Sequence, residues 1–517
     1  MILNRDKYFK EHGFKENPFA TTNALQEDFL EEYFITPPYF YSLIGSTTKP
    51  KSTFVIAPRG TGKTAQRIMI EKMSEHEEGL LTVVYDRFPI EGVAKVEDIK
   101  LEDHLIRINK YLIIALLTEL NERGIERSLN SYERANLKLL IELYLKGISN
   151  NEIDNAIKSI KGVTGRIGDL WRVAGKPINS VVNSILKAKG IECVDLSVSG
   201  KSINKIDYEE IESHLSFLEE IFKEIGIKSV YVLVDSIDET SLTGNDAKKS
   251  YLLIKPFIKD LRILERRTIV FKFFVWDKIE EYWTQDMRKD RIETFVIEWN
   301  LDEIKNLIRE RLKAYSEQKI DNLSKILDCD EKYIDLIYIF ANNSPRDLIN
   351  ILKLIFDNHL RKSNNINELP NKEAIINGIE DFCKNKFEEI ITTDKQRKDL
   401  KRVKIATFTI PYLYNEIFKC ESSTARNILM PWTRADIVYS STNKIKVKKS
   451  QNPINIYTFS DIRIARHVCS NQRLEEFIDR NLITCEECGV INVFDKENSY
   501  GIDSWQCKEC LSNLIIK

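Results

Sequence analysis

The chain has 517 residues, 43% of them apolar and 30% charged, which excludes disorder as the default reading and implies several domains, because single cores stop growing near roughly 250–300 residues. A net charge of −2 says nothing about nucleic acid by itself, so any such role rests on how the charge is distributed. The start, Met1 to Lys10, lacks an apolar signal core, and no apolar run approaches the roughly 18 residues that cross a bilayer, so a cytoplasmic protein with no membrane partner is expected.

Along the chain, the first informative segment is Ser52-Thr53-Phe54-Val55-Ile56, then Ala57-Pro58-Arg59-Gly60-Thr61-Gly62-Lys63-Thr64, then a helical pattern from Ala65 to Ile70. A strand running through a glycine-containing loop into a helix is the context a phosphate-binding loop requires. Backbone N–H groups converge there and the helix adds its positive end, so Ala57 to Thr64 would hold the phosphates of ATP. Lys63 would bridge the β- and γ-phosphates, and the Thr64 hydroxyl would reach Mg²⁺. Ala57 replaces the first glycine of the strict pattern. A strand follows at Leu81 to Tyr85, then helical runs at Leu105 to Arg123, Tyr132 to Leu145 and Tyr208 to Ile225. The apolar run Ser229 to Val234 ends in Asp235, with Asp238 and Glu239 just beyond. Asp235 would hold magnesium, directly or through water, and either Asp238 or Glu239 would orient the attacking water.

With these motifs in this order, Asn17 to Leu360 resembles the AAA+ superfamily, in particular its origin-recognition (initiator-like) clade and the related STAND ATPases. Asn17-Pro18-Phe19 and Glu32-Tyr33-Phe34 resemble the clade's lead-in. The resemblance implies an α/β fold with a P-loop parallel-sheet core and a helical lid; the long helical stretch between Leu81 to Tyr85 and Val230 departs from a minimal core of that kind and reads as a helical insertion at about 128–206. It also implies that Asp277, after the strand Phe271 to Trp276, lies nearest the sensor 1 position, and that Arg288 and Arg291 present an arginine finger to a neighbouring copy in a homo-oligomer. The other reading of those arginines is a solvated basic helix end. In Asn343-Ser344-Pro345-Arg346-Asp347-Leu348, Ser344 can cap a helix, Pro345 suits its first position and Arg346 projects from the first turn. The family places sensor 2 at such an arginine; a structural ion pair is the alternative.

Helical periodicity over Leu301 to Leu360 fits the lid. From Arg397 to Lys449, twelve Lys or Arg stand against four Asp or Glu, a patch able to follow a phosphate backbone. This region resembles a winged helix: short helices at Ile410 to Phe418 and Ser422 to Leu429, wing strands at Asp436 to Tyr439 and Ile454 to Phe459, and a basic loop, Lys444 to Lys449. Ser423, Thr424, Arg426 and Asn427 would face a DNA groove and the wing lysines would contact phosphate; protein contact is the alternative use. Cys485-x-x-Cys488 and Cys507-x-x-Cys510 have the spacing of a zinc ribbon, whose metal would supply the folding energy that so small a unit lacks. The remaining five cysteines read as small buried apolar residues.

The expected domains are therefore a lead-in (1–45), an ATPase core (46–300), a lid (301–395), a winged-helix-like domain (396–480) and a zinc ribbon (481–517). The expected activity is Mg-dependent ATP hydrolysis coupled to nucleic acid or a partner. The alternative is a nucleotide-gated scaffold that turns over little and recruits a separate effector. Resemblance to stand-alone prokaryotic ATPases implies a role in defence against phage or mobile DNA.

Overall fold

The computed structural model describes residues 5–122, 129–162, 170–171, 178–196, 206–363, 365–445, 453–497, 500, 502 and 504–515. They divide into two compact units, one holding the described residues of Asn23–Trp299 and the other those of Met1–Thr22 and Asn300–Lys517.

The first unit is built on strands β1 (Thr53–Ala57), β2 (Leu80–Tyr85), β3 (Ile160–Lys161), β4 (Ser229–Val234), β5 (Ile269–Trp276) and β6 (Glu293–Val296). Their order across the sheet is β3-β2-β4-β5-β1-β6. All pairs are parallel except β2 with β3. Strands β1, β2 and β4 are buried along their whole length, as expected of parallel strands covered on both faces. On one face, Phe54, Leu81, Val232 and Phe271 join the helices Leu101–Glu122, Tyr208–Glu224 and Ala247–Lys259 in a single core. On the other, Val55, Tyr231 and Phe274 pack with Phe40, Leu43, Ile44 and Ile70.

Between β2 and β4 the chain adds helices Ser131–Leu145, Asn150–Ser159 and Ile178–Ala188. Asn130 and Ser149 close capping boxes on the first two. Residues 128, 163–169, 172–177 and 197–205 of the expected insertion lie outside the described residues. The short β3 pairs antiparallel along β2, Val83 opposite Ile160, and so covers an edge that would otherwise expose unpaired backbone groups.

In the second unit, helices Leu301–Tyr315, Glu331–Ala341, Pro345–Lys362 and Lys372–Ile390 form the lid-like bundle. The first residues dock on it: Phe19 stacks on Phe356 with ring centroids 5.3 Å apart, and the buried Arg311 donates to Pro18 O at 2.6 Å. After Asp394–Val403, strands β7 (Thr407–Thr409), β8 (Val438–Ile445) and β9 (Ile454–Phe459) form an antiparallel sheet ordered β7-β9-β8. Helical turns over Ile410–Tyr412 and Leu413–Ile417, followed by the helix Ser422–Arg434, complete a winged-helix arrangement. That last helix runs five residues beyond the expected Leu429, with Pro431 accommodated inside it. Of the expected basic wing loop, residues 446–449 lie outside the described residues.

Candidate nucleotide and metal sites

Strand β1 delivers the chain at Ala57 into a loop that turns at Gly60 (φ 84°) and Gly62 (φ 100°) before the helix Lys63–Ser74 begins. Positive φ at Gly62, the residue preceding the helix, is a conformation that side chains disfavour. The loop is held from within and from the flank. Thr61 Oγ1 donates to Pro58 O at 2.8 Å, and Trp299 Nε1 donates to Thr61 O at 2.8 Å. Lys63 Nζ donates to Ala57 O and Pro58 O, 2.8 Å each. The first N–H groups of a helix have no partner within it and form its positive end, which suits phosphate.

Asp235 follows β4 and is buried, at 4% exposure. Its Oδ2 accepts from Arg67 Nε at 2.9 Å and its Oδ1 from Ser236 N at 2.8 Å. Arg67 also pairs with Glu71 one turn further along the helix, and burial pushes the Glu71 carboxyl above its ordinary range against the pull of Arg67 and Lys161. Thr64 precedes Arg67 by three residues on the same helix, a spacing that makes the two neighbours on its surface. A hydroxyl and a carboxylate beside a phosphate loop are oxygen donors of the kind Mg²⁺ takes, usually together with water and phosphate.

Asp238 is also engaged. Arg59, in the phosphate loop itself, donates through Nε to Asp238 Oδ2 at 2.7 Å and through Nη2 to Asn245 Oδ1 at 2.7 Å. Its guanidinium lies 4.2 Å from the Trp276 ring centroid. Glu239, by contrast, is exposed and lines a cleft with Asp86, Arg87, Arg107, Lys110 and Glu152. Neither the Arg59 clamp nor the Arg67 pair was visible in the motifs, since both depend on β1 and β4 being brought together across β5. Asp277 stands at the end of β5, one residue beyond the partner of Ala57, and accepts from Lys278 N at 2.9 Å.

The arginines expected to act at a distance are all exposed. Arg288 pairs with Asp290 (Nη2 to Oδ2, 2.7 Å) and Arg291 with Glu265 (2.5 Å). Arg346 forms no ion pair among the described residues. It sits in the first turn of Pro345–Lys362, where Ser344 accepts from Asp347 N at 3.3 Å. Asp347, next to it, is buried between Arg463 and Lys386, at 2.5 and 3.1 Å.

The four cysteines come together as their spacing predicts. Hairpins β10 (Leu482–Thr484) with β11 (Ile491–Val493) and β12 (Ser504–Gln506) with β13 (Asn513–Ile515) present Cys485, Cys488, Cys507 and Cys510. Their Sγ atoms lie within 4.8 Å of one another, with Cys485–Cys510 and Cys488–Cys507 at 3.6 Å. Zn–S bonds of about 2.3 Å in a tetrahedron put sulfurs about 3.8 Å apart, so the cluster fits Zn²⁺. Asn492 Nδ2 donates to Cys507 Sγ at 3.5 Å, a contact that favours thiolate. In the winged-helix region, Ser423, Thr424, Arg426 and Asn427 are exposed on one helix, while Ala425, Leu429 and Trp432 hold its other side in the core. Among the described residues no helix is long and apolar enough to cross a membrane.

A phosphate loop following β1, an acid after β4 and the order β2-β4-β5-β1-β6 define an AAA+-like P-loop α/β fold. Solved structures with which the chain aligns include the ORC2 protein of Aeropyrum pernix in ADPNP and ADP complexes (10% identity, 86% of this chain and 97% of that one, TM-score 0.38) and Cdc6p of Pyrobaculum aerophilum (10%, 86% and 99%, 0.29). The RuvB Holliday junction branch migration motor of Thermotoga maritima aligns over 46% of this chain and 81% of its own, at 12% identity and TM-score 0.20. No family model matches the chain, and no curated protein matches it.

Proposed function

We propose that the chain is a Mg²⁺-dependent ATPase whose nucleotide state controls binding to nucleic acid through the winged-helix region. The observation that carries this reading is the buried carboxylate of Asp235 held at 2.9 Å by Arg67, on the helix into which the loop of Ala57 to Thr64 leads. Phosphoryl transfer needs little beyond positioned phosphate, a metal and oriented water. Thr64 and Asp235 would hold Mg²⁺, which would neutralise charge on the terminal phosphates. Arg346 would act from the lid-like helices as sensor 2, and Arg288 and Arg291 would serve a second copy in a homo-oligomer. Cys485, Cys488, Cys507 and Cys510 would hold Zn²⁺ in a structural role, since all four positions of the tetrahedron are taken by the protein. The exposed Ser423, Thr424, Arg426 and Asn427 would meet base edges or phosphate, with duplex DNA the expected ligand. Defence against phage or mobile DNA in a cytoplasmic setting is the biological role this reading favours.

One observation favours a second reading, the nucleotide-gated scaffold that recruits an effector. Asp238, an acid expected to orient water, is closed by Arg59, and an ATPase lacking that group would turn over slowly. ATP hydrolysis by the full chain, measured alone and with duplex DNA, single-stranded DNA and RNA at two salt concentrations, tests the proposal. Turnover abolished by Lys63→Ala and altered by duplex DNA, less so at high salt, is expected. Nucleotide binding without turnover in a single-turnover assay would favour the scaffold, and no nucleotide binding would overturn both.

A further inference from the structure

Five carboxylates follow the C-terminal ends of the central strands: Asp86 after β2, Asp235, Asp238 and Glu239 after β4, and Asp277 after β5. Hydrolysis asks one of them to face the phosphate loop without being committed elsewhere. Asp235 carries Arg67 and the Ser236 amide. The residue directly after it, Ser236, has no carboxylate and holds a left-handed φ of 59°, turning the chain away from the strand direction. Asp238 is closed by Arg59. Asp86 and Glu239 line the cleft shared with Arg107, Lys110 and Asn151, on the β2 flank of the sheet. Strand β2 is three places from β1 in the sheet order, about 14 Å at the usual strand spacing.

Asp277 differs in its place and in its partners, accepting from the Lys278 amide at 2.9 Å but meeting no arginine among the described residues. Strand β5 is the neighbour of both β1 and β4. Ala57, the first loop residue, is paired with Trp276, so the residue after Trp276 lies level with the start of the phosphate loop. Asp277 is half-buried and forms no ion pair among the described residues. Resting on the hydrolase reading above, we propose that Asp277 positions the attacking water and accepts its proton, while Asp238 serves through Arg59 to hold the phosphate loop. The water oxygen forms a new bond to the terminal phosphorus as the bond from that phosphorus to the β,γ-bridging oxygen breaks. ADP leaves with the electron pair, and the water proton passes to Asp277 and then to the phosphate product. Burial raises the Asp277 carboxyl above its ordinary range, with Lys63 and Lys278 pulling the other way, a balance that suits a proton acceptor.

The test compares full-length wild type, Asp277→Asn, Asp277→Glu, Asp238→Asn, Arg59→Ala, the Arg59/Asp238 double variant and Glu239→Gln by kcat and by equilibrium binding of ATP. Asp277→Asn should lower kcat on the order of 10²-fold with ATP binding unchanged, and Asp277→Glu should restore part of it. Asp238→Asn and Arg59→Ala should weaken ATP binding by similar factors, with the double variant no worse than either. Glu239→Gln should lose less turnover than Asp277→Asn. Asp277→Asn turning over at the wild-type rate, or Glu239→Gln losing as much turnover or more, overturns the assignment while leaving the ATPase intact. A wild type that binds ATP and never hydrolyses it removes the underlying hydrolase reading instead.

Discussion

Lys272 shows how a single buried charge is accommodated in this fold. It sits in β5 at 1% exposure, and its Nζ donates to Leu43 O at 2.7 Å and Lys51 O at 2.8 Å, tying the end of the short helix Phe40–Ile44 to the sheet. Burial pulls its pKa down from 10.5 to about 7, with Glu293 opposing and Lys51 adding to the fall. Between those two values the unfolded chain binds the proton more tightly than the folded one, so this residue makes stability rise with pH, by up to about 1.4 kcal/mol per unit. Lys272→Met removes the proton and should flatten that slope. Urea unfolding from pH 7 to 9 should therefore show wild type gaining on the variant, and parallel curves would refute the account. The phosphate loop was legible because all its parts lie within eight consecutive residues. Lys272 was not, since a lysine in an apolar run gives no sign of which carbonyls it will meet. The same limit hid the Arg59–Asp238 clamp, whose members are separated by 179 positions.

Among elements, local chemistry was readable and assembly was not. Ser344 and Pro345 mark the start of Pro345–Lys362, and that helix begins there. The strand order and the edge strand β3 had no local signal, because only two residues of β3 pair with β2. Nor did the sequence reveal that Gly378 lets the helix Lys372–Ile390 cross the preceding one, where an added Cβ would lie 2.5 Å from Ile355 Cγ1. The helix Ile462–Val468 is fixed to that pair by buried charge: Arg463 bridges Asp347 and Asp461, and Arg466 meets Glu380. Asp461 is held below its ordinary range by Arg463 despite burial. Arg463→Leu takes the guanidinium from Asp461 and leaves Asp347 with Lys386 alone, and should cost up to about 3–5 kcal/mol. Pairing it with Asp347→Leu should recover part of that loss in a double-mutant cycle of urea unfolding, whereas additive losses would show that the two side chains do not depend on each other. Because Asp347 adjoins Arg346, the same contact joins the start of a lid-like helix to the segment that follows wing strand β9.

At the scale of the whole chain, the cysteine spacing announced a metal knuckle but not what it supports. The ribbon is not a free appendage. Ile456 of β9 shares a core with Cys485, Phe494, Trp505, Cys507 and Leu514, Thr458 Oγ1 donates to Val493 O at 2.8 Å, and Asp495 N donates to Thr407 Oγ1 at 2.8 Å. With zinc bound, thiolate ligation and burial of Trp505 would hold the same interior, so the metal would share the ribbon's folding energy with this core. Removing zinc from the full-length protein with a strong chelator should then loosen the winged-helix sheet as well as the ribbon. Trp505 emission, isolated by comparison with Trp505→Phe, should shift to the red as the ring meets water. Duplex DNA binding should fall with it, while ATP binding should persist, because the phosphate loop and Asp235 are buttressed entirely within the described residues of Asn23–Trp299. Cys507→Ser should reproduce the effect without chelator. If zinc leaves and Trp505 keeps its emission, the apolar core is sufficient by itself, and the metal serves the exposed face of the ribbon, where Leu511 and Ile515 stand 63% and 71% exposed.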